Sequence, residues 1–250
     1  MTRALLGKEF FERRIYFAIG FILVCVIAAL MPRFFAFSYA LATTNSKAPA
    51  DIVADILHNV RSYSAFIETQ WCGRGLARAL IILALIAGIG TVATERESRT
   101  LGLLTQSALG RPTIVIVKFT VNGMWLSLIA LSSVAVVAAA SLVDHRIIGL
   151  ASLAQPSFVA LLCAWAVLAL AMLASVLFKT SLKATVFALG LVIFVAAAGA
   201  PFGYNLITLP ENVFSADGAF LMGRFITDCA FAFGVGFVAL ISAIAGFQET

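Results

Sequence analysis

The sequence predicts an all-α membrane protein with six transmembrane helices. A soluble domain has about 45–50% apolar and about 25% charged residues. This chain of 250 residues is 62% hydrophobic and 12% charged, and its mean hydropathy is +1.05. The apolar residues form six long runs, and most charged residues lie between those runs. Water cannot accommodate so much apolar surface, so we expect a bilayer to be the solvent of this chain.

Each predicted helix follows from one apolar run, because a helix needs about 20 mostly apolar residues to cross the hydrocarbon core. We expect these spans to form a single transmembrane domain over residues 1–250. The six predicted spans are residues 15–31, 76–94, 113–143, 157–178, 184–209 and 225–247.

The first 14 residues predict an amphipathic helix at the membrane interface, in front of the first span. Its interfacial residues are Lys8, Glu9, Phe10 and Arg13. A helix of this kind lies in the plane of the interface with its apolar side in the bilayer. The alternative is a charged flank that only sets topology. The predicted apolar side holds Leu5, Leu6, Phe10 and Phe11, and the predicted polar side holds Lys8, Glu9, Glu12 and Arg13.

The distribution of Lys and Arg between loops predicts both termini in the cytoplasm. We expect a multi-pass protein of the bacterial inner membrane. Residues 32–75 then form a long outer loop, too long to be without structure, and a helical pattern runs through 49–69. This loop could meet an extracytoplasmic partner. The last outer segment, 201–223, is apolar but rich in Pro and Gly, which fits either a re-entrant segment or a surface loop.

Several kinds of chemistry have no motif in this sequence. No GxxxxGK[ST] phosphate loop and no HExxH zinc motif occurs, and the four cysteines have no CxxC spacing. We therefore expect no enzyme activity, cofactor or metal site in this chain. The basic residues are scattered and form no stripe, which argues against nucleic-acid binding despite a net charge of +5.

Asp228 is one of the charged residues that lie within a predicted span. Asp228 is about one turn inside the last span and four residues after Arg224. A charge at the bilayer centre costs about 2.5–3.5 kcal/mol on the insertion scale. Asp228 could line a substrate pathway or pair with Arg224 near the interface.

A charged segment between the second and third spans is the most informative part of the sequence. It begins at Glu95 and continues to Lys118. Residues 95–109 predict a short helix with acidic residues at its positive N-terminal end, and Pro112 ends it. One face of this helix would carry Glu97, Leu101, Leu104 and Ala108. Such a helix can dock into a groove on a soluble partner, or it can be a salt-bridged hairpin with no partner.

The residues of this segment resemble a motif of type-2 ABC exporter permeases, roughly E-R-E-x-G-[ST]-L-x-L-L followed by a Pro and a stretch that ends in G-K. Here the motif reads Glu95-Arg96-Glu97-Ser98-Arg99-Thr100-Leu101-Gly102-Leu103-Leu104, and Lys118 ends the stretch. The N-terminal Lys8-Glu9-Phe10 also resembles the start of these permeases. The sequence departs from the family pattern at Arg99, Ala108, Gly110 and Val117.

This resemblance implies a coupling helix at 95–109 that docks on a separate ATP-binding subunit, which would hold ATP and Mg²⁺. It implies two ATP-binding subunits and a second permease copy, with which this chain would form a homodimer embedded in membrane lipids. The compact layout is similar to permeases of nitrous oxide reductase copper-site maturation and of gliding motility. The coupling residues it implies are Glu95, Arg96, Glu97, Thr100, Leu101, Leu104 and Arg111.

Two other functions remain open at the level of sequence. A membrane scaffold or mechanotransmitter would keep the coupling helix and pass no substrate. A stand-alone secondary transporter would show an internal repeat and paired intramembrane charges. The sequence has no internal repeat and few intramembrane charges.

Overall fold

The computed structural model describes residues 2–44, 63–97, 110–213 and 221–249. Within these ranges the chain has helices and turns but no strand, which confirms the all-α fold class. The α-helices in chain order are α1 (Thr2–Thr44), α2 (Tyr63–Phe66), α3 (Ala77–Ile89), α4 (Ala93–Glu97), α5 (Arg111–Val143), α6 (Leu150–Leu177), α7 (Ser181–Gly199) and α8 (Met222–Glu249). A π-helical segment, Ile67–Leu76, joins α2 to α3, and short 3₁₀ turns lie at Ala200–Phe202 and Leu209–Glu211.

Six helical stretches are long and apolar enough to cross a membrane, which confirms the predicted number of spans. They are Leu5–Ser38, Tyr63–Glu97, Arg111–Val143, Leu150–Leu177, Ser181–Phe202 and Met222–Gln248.

Helix α6 is the centre of the bundle. It packs against α3, α8, α7 and α5, while α1 packs mainly against α5. Many of its buried residues are small, among them Ala164, Ala169 and Ala174. Small side chains let helix backbones approach closely, which is the main source of packing energy between helices in a bilayer. The outer helices α1, α7 and α8 instead expose large apolar side chains, as expected for surfaces that contact lipid.

The first and second spans extend further into the predicted outer loop than the apolar runs suggested. Helix α1 continues past Pro32 to Thr44, and the second helical stretch begins at Tyr63. The extension is held by aromatic packing, because the buried Phe35 ring makes edge-to-face contacts with Tyr63 and Phe66. Arg146, in the turn after α5, lies over the Tyr63 ring. Residues 45–62, which hold most of the predicted 49–69 helix, lie outside the described residues.

The fifth span ends at Gly199, before the predicted limit of residue 209. Pro201 has no N–H to continue the helix, and Gly203 adopts a φ of 78°, which favours glycine. The chain then turns back and packs onto the π-helical segment, where the Glu211 carboxylate accepts a hydrogen bond from Arg74 at 2.9 Å. The fourth span, α6, starts at Leu150 and not at the predicted residue 157, and Pro156 lies inside the helix.

Candidate functional site

Most of the sequence-predicted coupling and interfacial residues meet at one end of the helix bundle, which we call the charged end. It comprises the first turns of α1, the α3–α4 connection, the start of α5, the α6–α7 connection and the last turn of α8. The Arg111 side chain donates to the backbone carbonyl of Gln248 at 3.1 Å, so the start of α5 lies beside the end of α8. The charged end therefore carries the segments that run towards both termini.

A buried triad of charged side chains lies within the charged end, formed by Glu9, Glu95 and Lys118. The Lys118 Nζ atom donates to Glu9 Oε1 at 2.6 Å and to Glu95 Oε1 at 2.6 Å. The Lys118 side chain is 0% exposed, and those of Glu9 and Glu95 are 3% and 15% exposed. These three residues come from α1, α4 and α5, so the triad ties three separate helices together.

The apolar surroundings explain why these charges occur together. Lys118 is two turns inside α5, with the buried Val115 and Val121 close to it in sequence. A buried charge without a partner costs several kcal/mol, and only close pairing with good hydrogen-bond geometry offsets that cost. The Asn122 side chain donates to the Lys118 backbone carbonyl and lies on the same buried side of α5. A shift of one helix would separate these charges, and apolar packing could not compensate for their loss of contact. The triad therefore fixes the relative positions of its three helices.

Sequence analysis identified Glu9 and Glu95 as site residues but left Lys118 out of the predicted site. Lys118 stands at the end of the charged segment, where a basic residue also fits a role in setting topology. The missed signal was its position inside the predicted span 113–143, because a lysine at that depth requires a carboxylate partner. Two such carboxylates were available at the same end of neighbouring spans.

The predicted polar side of the N-terminal helix was wrong in part. Glu9 faces the bundle and is buried, whereas Phe11 is 61% exposed. The need to neutralise Lys118 decides this orientation. Arg13, one turn after Glu9, also points inwards and donates to the Gly90 carbonyl at 2.6 Å. Lys8 remains exposed and pairs with Glu12 at 3.6 Å.

Phe10 lies beside the triad and connects α1 to α5 through ring stacking. Its ring stacks on Trp125, with centroids 4.5 Å apart. The other neighbour of Trp125 on α1 is Phe17, at 5.6 Å. The N-terminal turns of α1 are therefore held to α5 by one ion pair and two stacked ring pairs.

The start of the predicted coupling helix is fixed to α6 through a buried serine. Ser175 Oγ accepts hydrogen bonds from the backbone N–H groups of Val92 and Ala93, at 2.9 and 2.8 Å, and donates to the Ile89 carbonyl at 2.9 Å. Arg96 donates to the Val176 carbonyl at 2.8 Å. One hydroxyl group therefore satisfies the open backbone groups where α3 ends and α4 begins.

Glu97 extends the connection to α7. Its carboxylate accepts hydrogen bonds from the Ser181 N–H at 2.7 Å and from the Ser181 hydroxyl at 2.9 Å. Ser181 is the first residue of α7, so Glu97 supplies the negative charge and the acceptor that a helix N-terminus favours. Glu97 thus contacts α7, although it was predicted on the face towards a partner. Thr100, Leu101 and Leu104 lie outside the described residues.

Asp228 lies away from the charged end, near the start of α8. It is fully buried, and its carboxylate is 3.2 Å from the Arg224 Nε atom at the predicted i,i+4 spacing. Arg224 also lies over the Tyr204 ring and donates to the Gly203 carbonyl. A role for Asp228 along a substrate pathway stays a prediction. Within the described ranges, no group of three or more His, Cys, Asp or Glu side chains is placed to hold a metal ion.

Comparison with known proteins identifies the family of this chain. The model of a family described as ABC-2 family transporter protein matches residues 4–217. This match includes the first five spans and the whole triad. A search among curated proteins finds no match. The six membrane-spanning helices and the family match together identify a multi-pass membrane component of the kind that works with an ABC ATP-binding subunit. The chain belongs to the ABC-2 family of transporter proteins.

Proposed function

We propose that this chain is the permease subunit that couples ATP hydrolysis by a separate ATP-binding subunit to export or to a conformational change across the membrane. Two copies of each subunit would form the working complex, and the charged end would face the cytoplasm of a bacterial inner membrane. Membership of the ABC-2 family supports the class of protein. The excess of Lys and Arg in the loops at the charged end supports the orientation.

The observation that carries the coupling proposal is the pair of contacts that Lys118 makes with Glu9 and Glu95. Glu95 stands where the predicted coupling helix begins, and Lys118 is inside a membrane-spanning helix. A push on residues 95–109 would reach α5 through this buried ion pair. The same push would reach α1 through Glu9, although α1 and α4 are far apart in the sequence.

A second route runs from α4 to the centre of the bundle. Ser175 holds the turn before α4 against α6, and Glu97 holds the end of α4 against α7. Packed interfaces of this kind move as discrete units and do not deform continuously. Closure of the ATP-binding subunits would then shift α4 and change the packing of α6, which contacts most of the other helices.

The test separates docking from transmission with two substitutions in the complete complex. Leu104→Arg places a charge on the predicted docking face and should prevent co-purification of the ATP-binding subunit. Lys118→Met, assayed below its lowered unfolding temperature, should keep the subunits together but reduce ATP hydrolysis by the complex at least tenfold, since the link from α4 to α5 is lost. Lys183→Met is the matched control, because Lys183 is an exposed lysine at the start of α7.

The proposal fails if both Leu104→Arg and Lys118→Met leave co-purification and ATP hydrolysis by the complex at wild-type levels. Transport into sealed inside-out vesicles distinguishes export from transmission of a conformational change. Export predicts ATP-dependent accumulation of substrate in the vesicles, and Lys118→Met should abolish it. A mechanotransmitter predicts ATP hydrolysis that depends on Lys118 with no accumulation.

A further inference from the structure

An apolar groove opens on the lipid-facing side of the bundle, where α1, α5 and α6 meet. Its largest cavity has a volume of about 630 Å³ and is lined by Phe10, Phe119, Leu128, Trp125 and Trp165, among others. Among the residues that the structure describes, no charged side chain lines it. This volume is within the range of about 300–1,000 Å³ that is typical of small-molecule sites, and the open side faces the bilayer.

Two indole N–H groups of this groove lack an acceptor. The Nε1 atoms of Trp125 and Trp165 are both buried, and neither has a hydrogen-bond partner within the described residues. The Trp165 Nε1 atom lies against Gly123, which also lines the cavity. A buried donor without an acceptor costs about 1–3 kcal/mol, so a bound group that carries an acceptor oxygen would be favoured at these two positions. The third tryptophan, Trp71, does have a partner, since it donates to Ser133 at 2.9 Å.

The hydroxyl groups of the groove do not satisfy these donors. Thr120 and Ser127 each donate to a backbone carbonyl of their own helix, at 2.8 Å. Each of these oxygen atoms keeps a lone pair for a further contact. The groove therefore combines apolar walls with two unused donors and two available acceptors, all of them neutral.

Two further cavities adjoin this groove and share lining residues with it. Phe119 and Trp165 also line a second cavity of about 140 Å³, whose far wall is formed by α8. Leu131 is shared with a third cavity of about 340 Å³, which reaches Phe225 at the other end of the bundle. The cavities of about 630 and 340 Å³ follow α5 from Phe10, next to the triad, to Val134, whereas the cavity of about 140 Å³ branches towards α8. This outline fits an extended hydrocarbon chain better than a compact ligand.

We propose that this groove binds one glycerophospholipid from the leaflet at the charged end, with an acyl chain along α5 and an ester carbonyl at the indole N–H groups. The alternative occupant is a second copy of this chain. The backbone carbonyls of a second copy are used within its own helices, so only hydroxyl groups such as those of its Thr120 and Ser127 could accept from the indoles. A lipid ester carbonyl has free lone pairs and is attached to a chain that matches the walls. This proposal does not depend on coupling to an ATP-binding subunit.

Lipid photolabelling tests the proposal on the full chain. The chain is placed in nanodiscs of phosphatidylcholine that contain a small fraction of a diester phosphatidylcholine with a diazirine in one acyl chain. After irradiation, labelled peptides are mapped by mass spectrometry. Residues 119–131 should be labelled several-fold more than the α7 face that carries Val186 and Phe194, although those side chains are 66% and 67% exposed.

Variants and a lipid analogue isolate the hydrogen bond. Trp125→Phe and Trp165→Phe keep an aromatic ring but remove the donor, and loss of one such bond should lower groove labelling about two- to tenfold. Trp71→Phe is the matched control and should leave it unchanged. A diether analogue of the same photolipid lacks the ester carbonyl, so it should label the groove several-fold less and the α7 face equally. Leu128→Trp should fill the groove and abolish the excess labelling.

Three outcomes would overturn the proposal. Equal labelling of the groove and the α7 face would indicate ordinary lipid contact. Equal labelling by the diester and diether lipids would show that the ester carbonyl does not contribute to binding in the groove. Protection of residues 119–131 from both lipids, together with cross-links between two copies through Met124, would identify a second copy as the occupant.

Discussion

Lys118 and Glu9 form an ion pair of 2.6 Å between residues that are 109 positions apart in the sequence. Their side chains are 0% and 3% exposed. Helix α1 packs mainly on α5, with further contacts from Arg13 to Gly90 and from Phe35 to Tyr63. This ion pair fixes the rotation of α1 about its axis, since a turn of the helix would leave a charge in an apolar environment.

Removal of the lysine should strongly destabilise the folded chain. Lys118→Met leaves Glu9 and Glu95 close together with no cation between them. Breaking a buried ion pair by removing one partner typically costs about 3–5 kcal/mol. Thermal unfolding of the purified protein in detergent should show a clear drop in the midpoint temperature. Lys183→Met, which changes an exposed lysine, should leave that midpoint unchanged.

Neutralising the whole triad should recover much of the loss. In the triple variant Glu9→Gln, Glu95→Gln and Lys118→Met, no charge remains to be compensated, and buried pairs are often replaceable by neutral groups. The triple variant should unfold at a higher temperature than Lys118→Met alone. Additive losses across this series would mean that the three side chains act independently, in conflict with the distances between them.

Ser175 should be the most sensitive serine on α6. Ser175→Ala leaves the buried N–H groups of Val92 and Ala93 without an acceptor, at a cost of about 1–3 kcal/mol for each. The midpoint of thermal unfolding should fall, and the α3–α4 turn should exchange its amide hydrogens faster. Ser242→Ala is the control, because Ser242 is exposed and donates only to Val238 on its own helix. If Ser175→Ala and Ser242→Ala were equally stable, the hydrogen bonds from the α3–α4 turn to Ser175 would not contribute to stability.

The fold could be predicted because the bilayer restricts it so severely. Apolar runs alone identified six spans, and α5 begins and ends within two residues of the predicted 113–143. Helix ends that depend on tertiary contacts could not be found in this way. Helix α1 continues to Thr44 beyond polar residues such as Arg33, which do not predict a span. The contact between the Phe35 and Tyr63 rings holds this extension in place. No local pattern reports such a contact between distant aromatic rings.

Part of the composition of the candidate site was predictable, but its geometry was not. The motif placed Glu95 and Glu97 in one functional segment, but the structure gives them different contacts, with Lys118 and with Ser181. Helical periodicity ranks side chains as polar or apolar. It cannot reveal that a buried lysine turns Glu9 away from the polar side. Pairing within an apolar bundle depends on which helices are neighbours, and this is information that one sequence does not contain.

The ion pairs at the opposite end of the bundle should contribute little. Glu211 contacts Arg74 and Arg78 at 2.9 and 3.4 Å, but the two arginine side chains are 41% and 59% exposed. Exposed pairs are typically worth about 0–1 kcal/mol. Glu211→Gln should therefore shift the unfolding midpoint far less than Lys118→Met does, and high salt should reduce the difference further. A loss as large as that of Lys118→Met would show that this contact is effectively buried.

Gly88 should tolerate no side chain, because α3 packs directly against the backbone of α6 there. A Cβ atom at this position would lie 2.5 Å from the Ala171 Cβ and 3.0 Å from the Leu168 carbonyl oxygen. Gly88→Ala should force the two helices apart and cost about 1–3 kcal/mol in unfolding free energy. Gly190→Ala is the matched control, since nothing lies within 4 Å of a Cβ there, and it should not lower the unfolding midpoint. Adding Ala171→Gly to Gly88→Ala should restore part of the loss, and wild-type stability of Gly88→Ala alone would contradict this close packing of α3 on α6.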